Sequence, residues 1–305
     1  MDKIGKDLLK KVADLHEIPE GAYNIRENGG LGGRHTTANI DIVSKKNKPG
    51  INIIIKANTK NESVHIPVII SKSGLDDLVY NDFYIGENAD VVIVAGCGIH
   101  NTGDEKSSHD GIHTFHVGKG AKIKYVERHY GEGDGLGQNT MNPTTIIEID
   151  EGGYMEMETT QIKGIDSTIR KTTAKLANDA KLVIKESLMT HGKQYAKTDF
   201  VVDMDGENSS ANVISRSVAK DESYQEFLSI INGNNKCAGH TECDAIIMDK
   251  ARVCAIPQIT ANHIDASLIH EAAIGKIAGE QLMKLMTLGL TESEAEEQIV
   301  NGFLK

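Results

Sequence analysis

The sequence predicts a mainly β protein, a β-solenoid held between an N-terminal helix and a C-terminal helix pair. Three observations lead there. Short alternating or apolar runs follow one another through the middle of the chain. A polar turn ending in a small residue returns about every 30 residues, within the range of solenoid repeats. Helical periodicity is confined to the two ends.

At the N-terminus Ile4, Leu8, Val12 and Leu15 recur at helical spacing, with Lys and Asp on the other face. After Pro19 the period changes. Strands are predicted over residues 51–55, 65–70, 90–94, 122–126, 145–149, 154–159, 181–186, 200–204, 212–218, 226–231 and 244–248, each bounded by Gly, Asn, Asp or Lys-Gly turn chemistry. The recurring motif is Asn88-Ala89-Asp90, Gly120-Ala121-Lys122, Gly152-Gly153-Tyr154, Asp179-Ala180-Lys181 and Ser210-Ala211-Asn212. A small residue at a repeated corner lets one layer of backbone stack on the next, over a column of inward Val, Ile and Leu. A β-sandwich with regular hairpins is the alternative. Asn232-Gly233 is nearly the only type I′ hairpin signal, which favours the solenoid.

Beyond residue 268 Ile274, Ile277, Ala278, Leu282, Leu285 and Met286 form a helical stripe, and Gly289 stands where a helix C′ residue belongs. Thr291-Glu292-Ser293-Glu294 is then a capping box, with Leu290 and Ala295 as its hydrophobic staple, and Ile299 and Val300 carry a second helix to Phe303. The pair either plugs the solenoid or docks another subunit. The chain thus divides into an N-terminal helical segment (1–28), a β core (29–268) and a C-terminal helical segment (269–305).

Composition narrows the function classes. The 305 residues carry 33 Lys+Arg against 44 Asp+Glu, a net charge of −11, which argues against nucleic acid or an anionic membrane surface as partner. No apolar run approaches the roughly 18–20 residues of a membrane span. The N-terminus lacks the apolar core of a signal peptide. Four cysteines are too few for a disulfide scaffold. The expectation is a soluble, cytoplasmic protein with reduced thiols.

Four groups of residues bear on chemistry. The run Gly131 to Gly137 has the spacing G-x-G-x-x-x-G, but no helix follows it, so it reads as a flexible loop and not a dinucleotide site. No G-x-x-x-x-G-K-[ST] occurs, so the chain is not itself a P-loop ATPase. His100, His109, His113, His116 and His129 follow Cys97; they are ligand-type residues, yet show no recognised ligand spacing, and on a strand His113 and His116 face opposite ways. A stand-alone metal enzyme using His109, His113 and His116 is one reading of them. Cys237, Cys243 and Cys254 match no zinc-ribbon or ferredoxin spacing and meet only if stacked rungs bring them together. His270-Glu271 is expected at the start of the first C-terminal helix, where a carboxylate is favoured electrostatically.

At these positions the sequence resembles the SufB/SufD family, β-helical scaffold proteins of the SUF iron–sulfur cluster assembly machinery. The most specific stretch is His270-Glu271-Ala272, Gly275-Lys276-Ile277, Gly279-Glu280-Gln281-Leu282 and Ile299-Val300-Asn301-Gly302-Phe303, similar to the family's H-E-A, K-I-G-E-x-Q-L and I-V-N-G-F signatures. Glu242-Cys243-Asp244-Ala245 resembles Q-C-D-S, and Ala95-Gly96-Cys97 resembles E-G-C; Asn24 to Gly29 and Gly111-Ile112-His113 also look familial.

The resemblance implies a right-handed parallel β-helix and a partner, the SufC-type ABC ATPase, docking on the C-terminal helices through Ile274, Ile277, Leu282, Leu285, Ile299 and Phe303. It also implies a transient Fe–S cluster with Cys243 and Glu271 as ligands, His270 as ligand or base, and Cys97 as sulfur acceptor. Soft thiolate beside weaker carboxylate or imidazole suits a cluster that is to be handed on. Ala95 and Glu242 depart from the family's Glu and Gln. Cys237, Cys254 and His113 are weaker candidates. The expected role is a scaffold, not an enzyme, paired as a homodimer or a SufB/SufD heterodimer and served by a sulfur donor and recipient apoproteins. The alternative is a SufD-like structural subunit without its own cluster.

Overall fold

The computed structural model describes residues 3–13, 19 and 21–304. In chain order its elements are α1 (Lys3–Ala13), β1 (Ala22–Glu27), β2 (Gly30–His35), β3 (Ile40–Ser44), β4 (Gly50–Ile55), β5 (Lys60–Ile70), β6 (Asp76–Ile85), β7 (Asp90–His100), β8 (Ser107–Val117), β9 (Lys122–Glu132), β10 (Asn139–Met141) and β11 (Thr144–Ile149). There follow β12 (Tyr154–Lys163), β13 (Ser167–Leu176), β14 (Lys181–Thr190), β15 (Tyr195–Met204), β16 (Ser210–Ala219), β17 (Tyr224–Gly233), β18 (Ala238–Ile247), β19 (Arg252–Ala261), β20 (Ser267–Gly275), α2 (Gly279–Thr287) and α3 (Glu292–Phe303).

The strands form two sheets, β2-β1-β5-β7-β9-β12-β14-β16-β18-β20 and β19-β17-β15-β13-β10-β8-β6-β4-β3, with β11 continuing β10 between β13 and β8. Each rung gives one strand to each sheet, and every pairing is parallel except the β1/β2 and β3/β4 hairpins. The expected β-solenoid is present, in about eight turns; the sandwich alternative fails because neighbouring strands are successive rungs and not hairpin partners.

The corner motif sets the register. Asp90, Lys122, Tyr154, Lys181, Ser210, Ala238 and Ser267 stand in one column of the first sheet. The residue two places earlier turns the chain in the left-handed region at Asn88, Gly120, Gly152, Asp179 and Asn208, where Asn, Asp and Gly are favoured. Its amide donates to the next rung's corner: Asn88 to the Lys119 carbonyl (2.9 Å), Gly120 to Glu151 (3.0 Å), Gly152 to Asn178 (2.9 Å), Asp179 to Glu207 (2.8 Å) and Asn208 to Lys236 (2.7 Å). The residue between is buried and small: Ala89, Ala121, Gly153, Ala180, Ser209. The fifth repeat therefore begins two residues earlier than the sequence pattern suggested, with Ser209 and not Ala211 at the corner.

The ends differ from expectation in instructive ways. In α1 Leu8, Leu9 and Val12 are buried while Ile4 is exposed; Leu15 lies outside the described residues. The helix rests on the outer face of the first sheet at Gly96 and Gly98, where a Cβ on Gly96 would lie 2.4 Å from the Val12 carbonyl oxygen. At the other end, β20 continues the body to Gly275, so His270, Glu271 and Ile274 lie on a strand, Ile277 in the link, and the first C-terminal helix starts only at Gly279. Pairing with β18 overrides the three-residue spacing of Ile274 and Ile277 that looked helical. The β body also starts early, with β1 inside the segment assigned to the N-terminal helix. The capping box of α3 is formed: Glu294 N donates to Thr291 Oγ1, and Thr291 N to Glu294 Oε2 at 2.8 Å. The glycine run is no loose loop. Gly135 N donates to the Asn101 carbonyl (3.2 Å) and Gly137 N to that of Gly103 (2.9 Å), and a Cβ on Gly137 would sit 2.0 Å from the Glu105 carbonyl oxygen. The run is a corner stacked backbone on backbone, which is why a glycine recurs at every second position.

Candidate functional site

Strand alternation decides what enters the solenoid. On β7 the motif Gly96-Cys97-Gly98 puts the glycines outward under α1 and the thiol inward, fully enclosed. In the next rung His129 stands in register with Cys97, and Gln161 with His129. Glu127 precedes His129 by two residues and shares its inward face. In its column follow Thr159, Glu186, Ser215 and Cys243. The second sheet contributes Asp77, Asn81, His109, His113, Arg170 and Thr198, all buried. His109 and His113, four residues apart on β8, share its inward face; the sequence reading overlooked this pair, whose even spacing puts both on one side of a strand. His116 points outward to Glu148, at 2.8 Å.

These groups form a continuous polar file. Arg170 Nη1 donates to Glu127 Oε2 (2.5 Å), and its Nε lies 3.7 Å from Glu186 Oε1. Glu186 accepts from Thr198 (2.9 Å) and from Ser215 (2.7 Å), and Ser215 is the register neighbour of Cys243. Toward Cys97, the Tyr125 hydroxyl donates to Glu127 Oε1 (3.0 Å) and accepts from His113 Nδ1 (2.8 Å). His113 Nε2 then accepts from Asn81 (3.3 Å), a neutral imidazole with both nitrogens used. His109 and Arg26 both bond Asp77. A cavity of about 20 Å³, large enough for one water, lies among Cys97, His109, His113, Glu127 and His129. A second, of about 10 Å³, lies by Arg170, Glu186 and Thr198.

The electrostatics follow from burial and pairing. Burial would raise Glu127, but Arg170, His129 and His113 hold it well below the usual carboxylate range. Asp77 is likewise held down against burial by His109 and Arg26. Burial lowers His113 to about 4, helped by the other nearby cations and opposed by Glu127. Burial pushes the Cys97 thiol far up, with Asp77 and Glu127 adding to it, and pushes Cys243 up to about 12, with Glu186 and Asp244 adding. Both thiols are held protonated until a metal or a base takes the proton.

Alternation separates the other candidates. His270 stands opposite buried Thr241 and so turns inward, on the same side as Cys243; its Nδ1 is buried without a hydrogen-bond partner among the described residues. Glu271, opposite Glu242, faces outward toward His240. Cys243 and Glu271 thus lie on opposite faces of the sheet. Cys237 occupies the corner that holds Ala180 and Ser209 in earlier rungs and packs in the apolar core. Cys254 stands opposite Glu226 on the outer face of the second sheet. All four cysteines are unpaired.

Residues 80–303, well over half of the chain, match the family model described as "SUF system FeS cluster assembly, SufBD core domain". The chain belongs to the SufBD family. It is similar to an iron–sulfur cluster assembly SufBD family protein of Methanocaldococcus jannaschii, 31% identical over 255 residues, covering 83% of this chain and 79% of the relative. A SufBD family protein of Methanothermobacter thermautotrophicus strain Winter is 32% identical over 250 residues, 78% of this chain but 57% of the relative. The iron–sulfur cluster assembly protein SufB of Bacillus subtilis is 36% identical over 102 residues, 32% of this chain and 22% of that protein.

In this SufBD chain the C-terminal helices are held lightly. No residue of α2 is buried, and α3 buries Ala295 and Val300. Leu282, Leu285, Ile299 and Phe303 are half-buried, and Ile274 is exposed on β20. The most exposed apolar side chains of the segment are Met283 (62%) and Leu288 (80%), which the sequence stripe did not single out. Among the described residues no helix is long and apolar enough to cross a membrane.

Proposed function

We propose that this SufBD protein is a scaffold on which a nascent Fe–S cluster is built, without catalytic turnover of its own. The reading rests on one observation: a file of buried polar groups joins Cys97 to Cys243 inside an otherwise apolar solenoid. The two thiols are five rungs apart, roughly 24 Å at about 4.8 Å per rung. Buried charges weaken a core unless fully paired, so a file maintained over that distance has a use other than stability. Cys97 accepts a sulfane sulfur: its thiolate attacks the terminal sulfur of a donor persulfide and the donor leaves as a thiolate, with no net redox change. A dithiol reductant, oxidised to its disulfide, then releases that sulfur as hydrosulfide and restores the Cys97 thiol. Arg170, the histidines and the hydroxyls of Thr198 and Ser215 line a path for the hydrosulfide toward Cys243, where His270 shares the inward face. Cys243 binds iron as it loses its proton, and a site with one thiolate and one imidazole holds a cluster weakly enough to release it.

The exposed α2 face, with Met283 and Leu288 beside the half-buried Leu282 and Leu285, is the docking surface for a SufC-type ABC ATPase; adaptable Met-rich surfaces suit such contacts. The working unit is a dimer of scaffold chains in the cytoplasm, fed by a sulfur donor and emptied by recipient apoproteins.

The test is anaerobic co-purification with the ATPase, then iron and sulfide reconstitution of wild type and Cys243→Ser. Charge-transfer absorption and a Mössbauer cluster signal are expected in wild type and are diminished in the variant, with an unchanged β circular-dichroism spectrum. A complex that forms but stays colourless in both shifts the reading to a SufD-like structural subunit. Two different scaffold chains in the mass of the complex would exclude the homodimer.

A further inference from the structure

We propose that His240, Glu242 and Glu271 form a second, mononuclear metal site on the outer face of the first sheet, suited to a first-row divalent cation such as Fe²⁺, Mn²⁺ or Zn²⁺. Their ligand atoms all lie within 4.8 Å of one another, and His240 Nε2 is 3.7 Å from Glu271 Oε2. His240 and Glu242 are two residues apart on β18 and share its outward face; Glu271 is the register partner of Glu242 on β20. Oxygen and nitrogen ligands at about 2.1 Å from a metal stand about 3 Å apart. The closure needed is within reach of the exposed Glu271 side chain.

Two features point to a ligand and not to a chance cluster. Carboxylates directly opposite on neighbouring strands repel. Arg216 lies 3.9 Å from Glu242, and Asp244 on the same face, which accepts from the Ala273 amide (3.2 Å), adds its own negative charge beside Glu242. A divalent cation would remove that repulsion. The second feature is the imidazole: His240 Nδ1 lies 2.9 Å from Asn212 Oδ1. An amide oxygen can only accept, so Nδ1 carries a proton and Nε2 is the ring nitrogen left facing the carboxylates, the outer-shell arrangement that orients metal-bound histidine. Asn212 is therefore a positioning residue.

The donor set selects the ion class. One imidazole and two carboxylates lack the thiolates a soft ion prefers, and imidazole is a poor ligand for Mg²⁺ or Ca²⁺. Three protein ligands leave open positions, which makes the ion exchangeable. The inference goes beyond the cluster reading: Cys243 lies on the other side of the sheet, and the site stands whether or not a cluster forms.

Mn²⁺ titrated into the full-length chain, followed by the EPR signal of the free ion, tests it. One saturable site is expected, weakened at least tenfold in His240→Gln and in Glu242→Gln, several-fold in Asn212→Ala, and unchanged in Cys243→Ser. Pulsed EPR should show ¹⁴N coupling from imidazole in wild type that disappears in His240→Gln. Fe²⁺ should displace Mn²⁺ where equal Mg²⁺ does not. Glu242→Gln relieves repulsion, so its metal-free melting temperature should equal or exceed that of wild type while the metal-induced rise is lost, which separates lost binding from misfolding. Absence of saturable binding, absence of ¹⁴N coupling, unaltered affinity in both ligand variants, or loss of binding in Cys243→Ser would each overturn the site.

Discussion

Along β7, β9, β12 and β14 of the first sheet, the inward residues nearest the corner are apolar: Val91 and Ile93, Ile123 and Tyr125, Met155 and Met157, Leu182 and Ile184. Two to four residues further on they become Glu127 and His129, Thr159 and Gln161, Glu186, Ser215 and Ser217. The second sheet reverses the order, running from Asp77, His109, His113 and Arg170 to Phe83, Phe115, Leu176 and Met204. One cross-section therefore holds two cores side by side. In the apolar one, residues such as Phe83 and Phe115, stacked at 4.3 Å, gain by leaving water and need no particular partner. In the polar one each group is tolerable only because a named neighbour satisfies it. The first should lose stability gradually with lost volume, the second abruptly with lost partners.

The sharpest way to break this contrast is Arg170→Met. Methionine fills similar volume, but Glu127 and Glu186 lose their buried counter-charge. Removing one partner of a buried pair destabilises by about 3–5 kcal/mol. Denaturant unfolding should show a loss of that size. A loss below about 1 kcal/mol would mean that solvent reaches the file and screens it.

Much of this arrangement can be read from the sequence, and the unread part has a physical cause. The corner column was visible because a left-handed turn and a buried small residue leave a local signature, and the structure moves only its fifth member, from Ala211 to Ser209. The polar file was not visible. Within β9, Ile123, Tyr125, Glu127 and His129 share one face, but the partner that makes Glu127 tolerable there, Arg170, lies on another sheet two rungs of chain away. Strand periodicity carries no such information. Cys243 and Glu271 looked like neighbours because family signatures run along the chain; register shows them back to back. His240 and Glu242 could have been found, since alternate residues on a strand share a face, but only after the register of β20 is known.

Acid should act on the polar core first. His113, at about 4 in the folded protein, lies below the ordinary histidine value near 6.5. Protonation therefore favours the unfolded chain, and the stability it contributes is complete above pH 6.5 and is lost as pH falls from there through 4. A shift of that size corresponds to roughly 3 kcal/mol by linkage. Glu127, whose folded value is also depressed, loses its contribution only at more acid pH. Between pH 6.5 and 4.5 the fall in unfolding free energy should therefore belong chiefly to His113, with a further part from His65, which burial also lowers, and His113→Asn should flatten most of it. A slope equal to wild type in the variant would assign the acid sensitivity elsewhere.

The smallest effect should come from the residue that stands on the border. Tyr125 is fully buried with its ring against Phe115 (centroids 4.9 Å) and its hydroxyl between His113 and Glu127. Burial and the Glu127 charge push the phenol far above its usual value, so it stays a donor at any pH at which the protein is folded. Tyr125→Phe keeps the apolar half intact and removes one atom from the polar half. Glu127 retains Arg170, while the His113 Nδ1–H loses its acceptor in a buried site. Leaving one buried group unsatisfied costs about 1–3 kcal/mol. The variant should unfold at lower denaturant with an unchanged m-value, and its pH dependence below 6.5 should shift, because His113 has lost the acceptor that fixed its tautomer. If stability and pH profile both stayed at wild-type values, the border would be wet, and the two cores would not be the separate structures their packing describes.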